Sequence, residues 1–227
     1  MHEPHRFKYL DYLINIFVVT LIISNLVAPK LCMIGPFKVS AALLLFPFTY
    51  IFGDIFTEVY GYGASRRAIW TGFSASVLMS VISIIVVNLP PAPDWGNQQA
   101  YAMVLGFVPR IVASSLVAYW CGEFANAFVM ARLKVVTKGR MLWVRTIGST
   151  AAGQLVDTVI VTTLVFLGSE SLSTIGVLIV NGYGFKVLYE AAMTPVTYWV
   201  VNALKKAEGV DVYDVDTDFN PFHSALR

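Results

Sequence analysis

The stretch VLIVNGYGFKVLYEAAMTPVTYWVV, residues 177–201, is apolar over a length that can cross a bilayer, which takes about 20 residues. Lys186 and Glu190 interrupt this stretch one helical turn apart. An ionisable side chain at mid-membrane costs about 2.5–3.5 kcal/mol on insertion scales, so such residues normally face a polar interior of a helical bundle. The stretch therefore predicts a membrane protein that binds or moves a polar solute.

Two more apolar runs carry mid-span polar residues, Gln154 with Asp157 in one and Asp54 with Glu58 in the other.

The chain has 227 residues, of which 57% are hydrophobic and only 13% charged, whereas soluble domains carry about 25% charged residues. We place membrane spans near residues 10–28, 39–58, 68–89, 102–131, 144–168 and 175–203, and Pro109 is able to split the fourth. The predicted fold is all-α, a polytopic membrane protein with six transmembrane helices in one bundle.

Lysine and arginine residues are concentrated in alternate connections between these spans, and they also flank the first and last spans. By the positive-inside rule, this places both termini in the cytoplasm. We expect a single six-helix transmembrane domain over residues 1–204. Residues 205–227 should then form a short acidic cytoplasmic tail exposed to solvent.

Several classes of function are disfavoured by composition. The chain is too short for six spans and a separate nucleotide-binding domain, and its net charge of +2 does not indicate a nucleic-acid partner. Its three histidines, His2, His5 and His223, lie outside the spans, so an intramembrane enzyme, haem or zinc site lacks its usual residues. We predict no catalytic residue, cofactor or metal, while membrane lipid is an expected partner and a homo-oligomer stays open.

The sixth span has one polar face, formed by Tyr183, Lys186 and Glu190 at helical spacing. An internal Lys186–Glu190 pair would neutralise itself, or the face could line a cavity. Gly182 and Gly184 favour the cavity, because glycines permit close approach or local unwinding of the backbone.

Gln154 and Asp157 share a face of the fifth span with Thr146 and Thr150. A polar face through the bilayer centre should contact protein or water rather than lipid. Hydrogen bonds between helices would explain it, but two adjacent polar groups can also bind one edge of a ligand. We favour the ligand site.

Asp54 and Glu58 are like charges four residues apart, which repel modestly on a helix. One of them should therefore be paired or protonated, with Arg66, Arg67 and Arg110 as candidate partners. We favour structural ion pairing over ligand contact for both carboxylates. Arg110 is either a residue at the outer membrane boundary or a buried counter-charge.

These motifs resemble the queuosine precursor transporters of the vitamin-uptake type. The longest is FGDIFTEVYGYG, residues 52–63, followed by IWTGF at residues 69–73. Shorter matches are Pro109–Ile111, Trp143–Arg145, Gly148–Thr150, GQLVDT at 153–158 and FNPF at 219–222.

The resemblance implies a bacterial inner-membrane importer of 7-cyano-7-deazaguanine, with the 7-aminomethyl relative as a second candidate. It also implies a bundle similar to the substrate-binding subunits of energy-coupling-factor vitamin transporters. A binding subunit that needs a separate energising module is therefore the alternative function. The positions that match family motifs are Asn25, Asp54, Glu58, Arg110, Arg145, Gln154 and Asp157.

A deazaguanine base suits the polar residues of the spans. Its N–H donors can be accepted by a carboxylate, and its carbonyl can accept from an amide or a lysine. Its faces favour aromatic stacking, worth about 1–3 kcal/mol per base. The predicted substrate-binding set is Glu190, Asp157, Gln154, Lys186, Asn25, Glu58, Asp54, Tyr183, Arg110 and Trp120.

Overall fold

Helices form most of the chain in the computed structural model, which describes residues 7–27, 30–34, 37–106, 108–167, 171–214, 217, 219 and 220. A short antiparallel hairpin, β1 and β2, follows the first helix. The elements are α1 Leu10–Val27, β1 Leu31–Ile34, β2 Phe37–Ser40, α2 Phe46–Ile55, α3 Tyr62–Asn88, α4 Gln98–Leu105, α5 Val108–Val136, α6 Leu142–Phe166 and α7 Leu172–Glu208.

Residues 39–58, which we predicted as the second membrane span, do not form a helix throughout. This region instead contains the end of β2, a 3₁₀ turn at Ala41–Leu44, and α2. Pro47 lies in the first turn of α2, where its missing N–H removes no helical hydrogen bond, so it starts the helix rather than kinking it. A π turn, Phe56–Tyr60, continues α2 and ends at Gly61, whose φ of +85° favours glycine.

The predicted division of the fourth span at Pro109 is confirmed. The short helix α4 ends at Leu105, and α5 begins at Val108 with Pro109 in its first turn. The last helix is longer than its predicted span, since α7 runs for 37 residues and passes through Pro195.

Two helices, Leu10–Val27 and Tyr62–Asn88, are long and apolar enough by themselves to cross a membrane, as judged over the described residues. In α3, only 22% of the most apolar window is buried inside the protein. Most of the apolar side chains there therefore face outward, as expected for a helix in contact with lipid.

Helices α5 and α6 cross at glycines. A methyl group on Gly153 would lie 2.7 Å from the carbonyl oxygen of Gly122, and one on Gly122 would lie 2.9 Å from Asp157 Cβ. Small residues at a crossing allow two helix backbones to touch. This crossing holds the polar residues of the two helices at a fixed distance from each other.

The segment just before α1 and the end of α7 lie next to each other. The Glu208 carboxylate accepts hydrogen bonds from the backbone N–H groups of Lys8 and Tyr9, at 2.8 and 2.7 Å. It also accepts one from the Tyr60 hydroxyl. This carboxylate therefore joins the start of α1 to the end of α7.

The described residues of the acidic tail pack back onto the bundle, in contrast to the predicted solvated extension. The Asp214 carboxylate accepts hydrogen bonds from the Tyr62 N–H at 3.0 and 3.1 Å, so it caps the positive end of the α3 dipole. The Phe219 ring lies 4.9 Å from the Tyr62 ring, and the Arg132 guanidinium lies 4.7 Å from the Phe219 ring. These contacts stabilise the docked tail.

Candidate functional site

Lys186 of α7 is paired with Asp157 of α6. Lys186 Nζ lies 2.7 Å from Asp157 Oδ2 and also donates to the Thr158 hydroxyl at 3.3 Å. Both side chains keep some exposure, 28% for Lys186 and 11% for Asp157. Asp157 and Lys186, two of the polar residues predicted on the last two spans, thus meet across the interface between α6 and α7.

A second set of polar groups surrounds Gly53 of α2. Asn126 Nδ2 donates to Asp54 Oδ1 at 3.3 Å, and a methyl group on Gly53 would lie 2.8 Å from Glu123 Oε2. Asn126 also packs against Gly153, next to the buried Gln154. We refer to Asp54, Glu123, Asn126, Gln154, Asp157 and Lys186 as the polar cluster.

The polar cluster contains acceptors without hydrogen-bond partners among the described residues. They are Asn126 Oδ1 and Gln154 Oε1, on side chains that are 1% and 2% exposed. A buried acceptor without a partner costs about 1–3 kcal/mol. The cluster can therefore accept N–H donors from a bound solute at the amides, while Lys186 can donate to an acceptor.

Glu58 belongs to a different site, although it lies one turn after Asp54. Its Oε1 atom lies 2.8 Å from Arg145 Nη2, 2.7 Å from Lys205 Nζ and 3.8 Å from Lys134 Nζ. Both lysines also pair with Asp211 of the tail, at 3.0 and 2.8 Å. We refer to Glu58, Lys134, Arg145, Lys205 and Asp211 as the Glu58 network.

The Glu58 network ties the π turn to α5, α6, α7 and the tail. Lys134 Nζ additionally donates to the backbone carbonyls of Glu58 and Val212. Burial alone would raise the pKa of Asp211, but hydrogen bonds from Lys205 and Lys134 outweigh it and lower that pKa below its usual value. The predicted ion pairing of Glu58 is thus found, but with other partners.

Arg66 and Arg67 were predicted as partners of the Asp54 and Glu58 carboxylates, but they make contacts with other residues. Arg67 pairs with Asp11 at 3.0 Å, and Arg66 donates to the backbone carbonyl of Asn220. The side chain of Arg110 lies outside the described residues. Arg66 and Arg67 both lie in the first turns of α3.

A family model described as "Putative vitamin uptake transporter" matches residues 40–200. The chain belongs to this family. Family membership makes it a membrane protein of a transporter family, and the structure places both the polar cluster and Glu58 within the matched residues.

Two relatives carry informative names. A "Probable queuosine precursor transporter" of Bacillus subtilis (strain 168) is 34% identical over 116 residues, 51% of each chain. A "Queuosine precursor transporter" of Escherichia coli (strain K12) is 26% identical over 156 residues, 69% of this chain and 68% of the relative. The match thus spans about half of the first relative and about two thirds of the second. No solved structure matches the chain.

The remaining predicted site residues are Asn25, Tyr183, Trp120 and Glu190. Asn25 is buried in α1 at 5% exposure, and no hydrogen bond within the described chain joins it to the polar cluster. Tyr183 is half-buried on α7, one turn before Lys186. Trp120 packs against Phe124, with ring centroids 5.3 Å apart. The side chain of Glu190 lies outside the described residues.

The sequence interpretation did not select Glu123 and Asn126 of α5 as site residues. In the structure both side chains are buried, at 1% exposure. They lie three residues apart in the middle of a long span, and such mid-span polar residues usually face the bundle interior. The same rule that selected Gln154 and Asp157 would have selected this pair. Arg145 was recognised only as a motif position, and its role as the partner of Glu58 was not predicted.

An apolar groove of about 390 Å³ lies between α3 and α4, with one contribution from α1. It shares no residue with the polar cluster. Its lining residues are Ile22, Ala75, Leu78, Met79, Ile82, Ser83, Val86, Tyr101 and Leu105. Such a lining offers little to orient a polar base, so the groove is not the candidate substrate site.

Proposed function

We propose that the protein imports queuosine precursors across the bacterial inner membrane, with 7-cyano-7-deazaguanine as substrate and the 7-aminomethyl base as a second candidate. The observation that carries the proposal is the Lys186–Asp157 pair, which lies beside buried amides at the α5–α6 crossing. The names of the two relatives supply the substrate class.

The chemistry of the polar cluster suits this base. Asp157 can accept adjacent N–H donors, as carboxylates accept from base amino groups elsewhere. Lys186 Nζ, paired at 2.7 Å in the structure, can donate to the carbonyl of the base. A partly exposed pair can exchange its partner for a ligand at lower cost than a fully buried one, because water already solvates part of it.

We further propose a multi-pass arrangement with both termini in the cytoplasm and one transmembrane domain over residues 1–204. The Glu58 network would then lie at the cytoplasmic end. Its cations, together with Arg66 and Arg67, concentrate positive charge at the end where α1 begins and α7 terminates, which supports this orientation.

Equilibrium binding of radiolabelled 7-cyano-7-deazaguanine by the purified full-length protein tests the proposal. Wild-type protein should bind the base, and Asp157→Asn should weaken binding by tenfold or more, roughly the value of one charge-assisted hydrogen bond. Asp11→Asn, which alters an exposed pair, is the matched control and should bind like wild type. Absence of binding by wild-type protein would refute the proposed substrate.

Uptake by liposomes that contain this chain alone addresses the mechanism. Accumulation or equilibration of the base without another protein would show that the chain transports by itself. If the chain binds the base but does not move it, the alternative holds, namely a binding subunit that requires a separate energising module.

A further inference from the structure

Asn126 has a fixed orientation within the polar cluster. Its Nδ2 lies 3.3 Å from Asp54 Oδ1 and donates a hydrogen bond to it. The amide oxygen, Oδ1, is consequently directed elsewhere as an acceptor. That atom has no hydrogen-bond partner within the described chain, on a side chain that is 1% exposed.

Close backbone contacts restrict the movement of this side chain. A methyl group on Gly153 would lie 2.8 Å from Asn126 Cβ, and one on Gly53 would lie 3.4 Å from Asn126 Nδ2. Asn126 is thus enclosed by α2 on one side and α6 on the other. Because of this enclosure, the amide cannot swing out to water to satisfy its oxygen.

The neighbouring helix presents a similar atom. Gln154 follows Gly153 on α6, and its Oε1 is also buried without a partner in the described residues. These two amide acceptors, neither of which has a partner among the described residues, lie near the Lys186–Asp157 pair and can receive N–H donors from a ligand. The complementary ligand must therefore present such donors, as the amino-pyrimidinone edge of the proposed deazaguanine does.

We infer that Asn126 is a specificity-determining residue whose Oδ1 accepts a hydrogen bond from the exocyclic amino group of the base, an inference that rests on the proposed function. A site built to bond a donor rejects an analogue without it, because its own buried acceptor is then left unpaired. One such unpaired acceptor weakens binding about 5-fold to 150-fold. A purely structural role, through the bond to Asp54, would affect all ligands equally.

The experiment compares two ligands with full-length protein variants in equilibrium binding. The ligands are 7-cyano-7-deazaguanine and the analogue with hydrogen in place of its exocyclic amino group. Wild type should prefer the amino-bearing base by about tenfold or more. Asn126→Ala should lose most of that preference. Asn202→Ala, a change at an exposed residue of α7, should keep it.

Asn126→Leu provides a second variant, because it preserves side-chain volume against Gly153 while removing both polar atoms. It should lose the preference as Asn126→Ala does. The ratio of the two affinities isolates the hydrogen bond, since a general disturbance of the fold lowers both affinities together.

Three results would overturn the inference. The first is a wild-type protein that binds both ligands equally well. The second is a preference that persists in both Asn126 variants, in particular if Gln154→Ala abolishes it. The third is failure of wild type to bind either ligand, which would refute the proposed function as well and is thereby distinguishable from the first two.

Discussion

Asp54 and Glu58 lie four residues apart in one motif, yet they belong to two regions with opposite properties. Glu58 is held by two lysines and an arginine, and its network links the π turn, α5, α6, α7 and the tail. Asp54 joins the polar cluster, where neighbouring amide oxygens have no hydrogen-bond partner in the described part of the chain. The first region is stabilised by its own charges, whereas the second offers amide acceptors to a ligand or to water.

The π turn explains why such close residues diverge. It begins at Phe56, between the two carboxylates, and a π turn changes the direction in which later side chains leave the helix. The chain thereby places a structural carboxylate and a candidate binding carboxylate on consecutive turns. Two carboxylates that are close in sequence can therefore have different roles, one structural and one in the candidate site.

The largest expected effect is on stability, from Glu58→Ala. The change removes the carboxylate that pairs with the buried Arg145 and leaves Lys134 and Lys205 paired with Asp211 alone among the described carboxylates. Breaking a buried ion pair in this way typically costs about 3–5 kcal/mol. Chemical unfolding of the purified protein measures this loss.

Asp11→Ala is the matched control, because the Asp11–Arg67 pair is 71% and 47% exposed and should contribute about 0–1 kcal/mol. Equal losses for the two variants would contradict the contrast between the buried network and an exposed pair.

Gly153→Ala tests the crossing that assembles the polar cluster. Its methyl group would meet the Gly122 carbonyl at 2.7 Å, so α5 and α6 must separate, at a cost of about 1–3 kcal/mol. We expect lower thermal stability and weaker base binding. Gly176→Ala is the control: nothing lies within 4 Å of its added methyl group, and it should stabilise α7 by up to about 1 kcal/mol. If Gly153→Ala binds the base as wild type does, the α5–α6 crossing does not determine binding.

Replacing the pair in the polar cluster should affect binding more than stability. Asp157→Asn removes one charge of a partly exposed pair, so we expect a cost in unfolding free energy below that of Glu58→Ala, together with the tenfold weaker base binding. The double variant Asp157→Asn with Lys186→Met removes the remaining unpaired charge. It should regain stability but not binding, as measured by unfolding and equilibrium binding. Recovery of binding in the double variant would show that the pair is structural.

The smallest effect concerns the tail. Because folding lowers the pKa of Asp211 below its ordinary value of 3.8, its ion pairs stabilise the protein above that pH, and this stability is lost as pH falls through the lower folded value. Asp211 is 45% exposed, so Asp211→Asn should cost less than about 1 kcal/mol at pH 7.

Unfolding midpoints measured from pH 7 down to 2 check this prediction. The difference between wild type and Asp211→Asn should shrink below about pH 4 as the carboxylate of the wild type is protonated. A constant difference over the whole range would mean that Asp211 acts through packing rather than charge.

Sequence patterns predicted the helical class, the break at Pro109 and the polar faces of the last two helices. These follow from local rules, because hydrophobic runs, proline positions and helical periodicity depend only on neighbours along the chain. The hairpin before α2 was missed for the same reason, since its apolar residues suit a strand or a buried helix equally well.

The sequence by itself determined that charged and amide side chains lie within long apolar helices and which face of each helix carries them. Only the tertiary structure decided their partners: Lys186 with Asp157, Asn126 with Asp54, and Glu58 with Arg145 and Lys205. The physical reason is that periodicity fixes directions within one helix, whereas partners depend on crossings between helices. At Gly122 and Gly153, the absence of side chains sets that crossing.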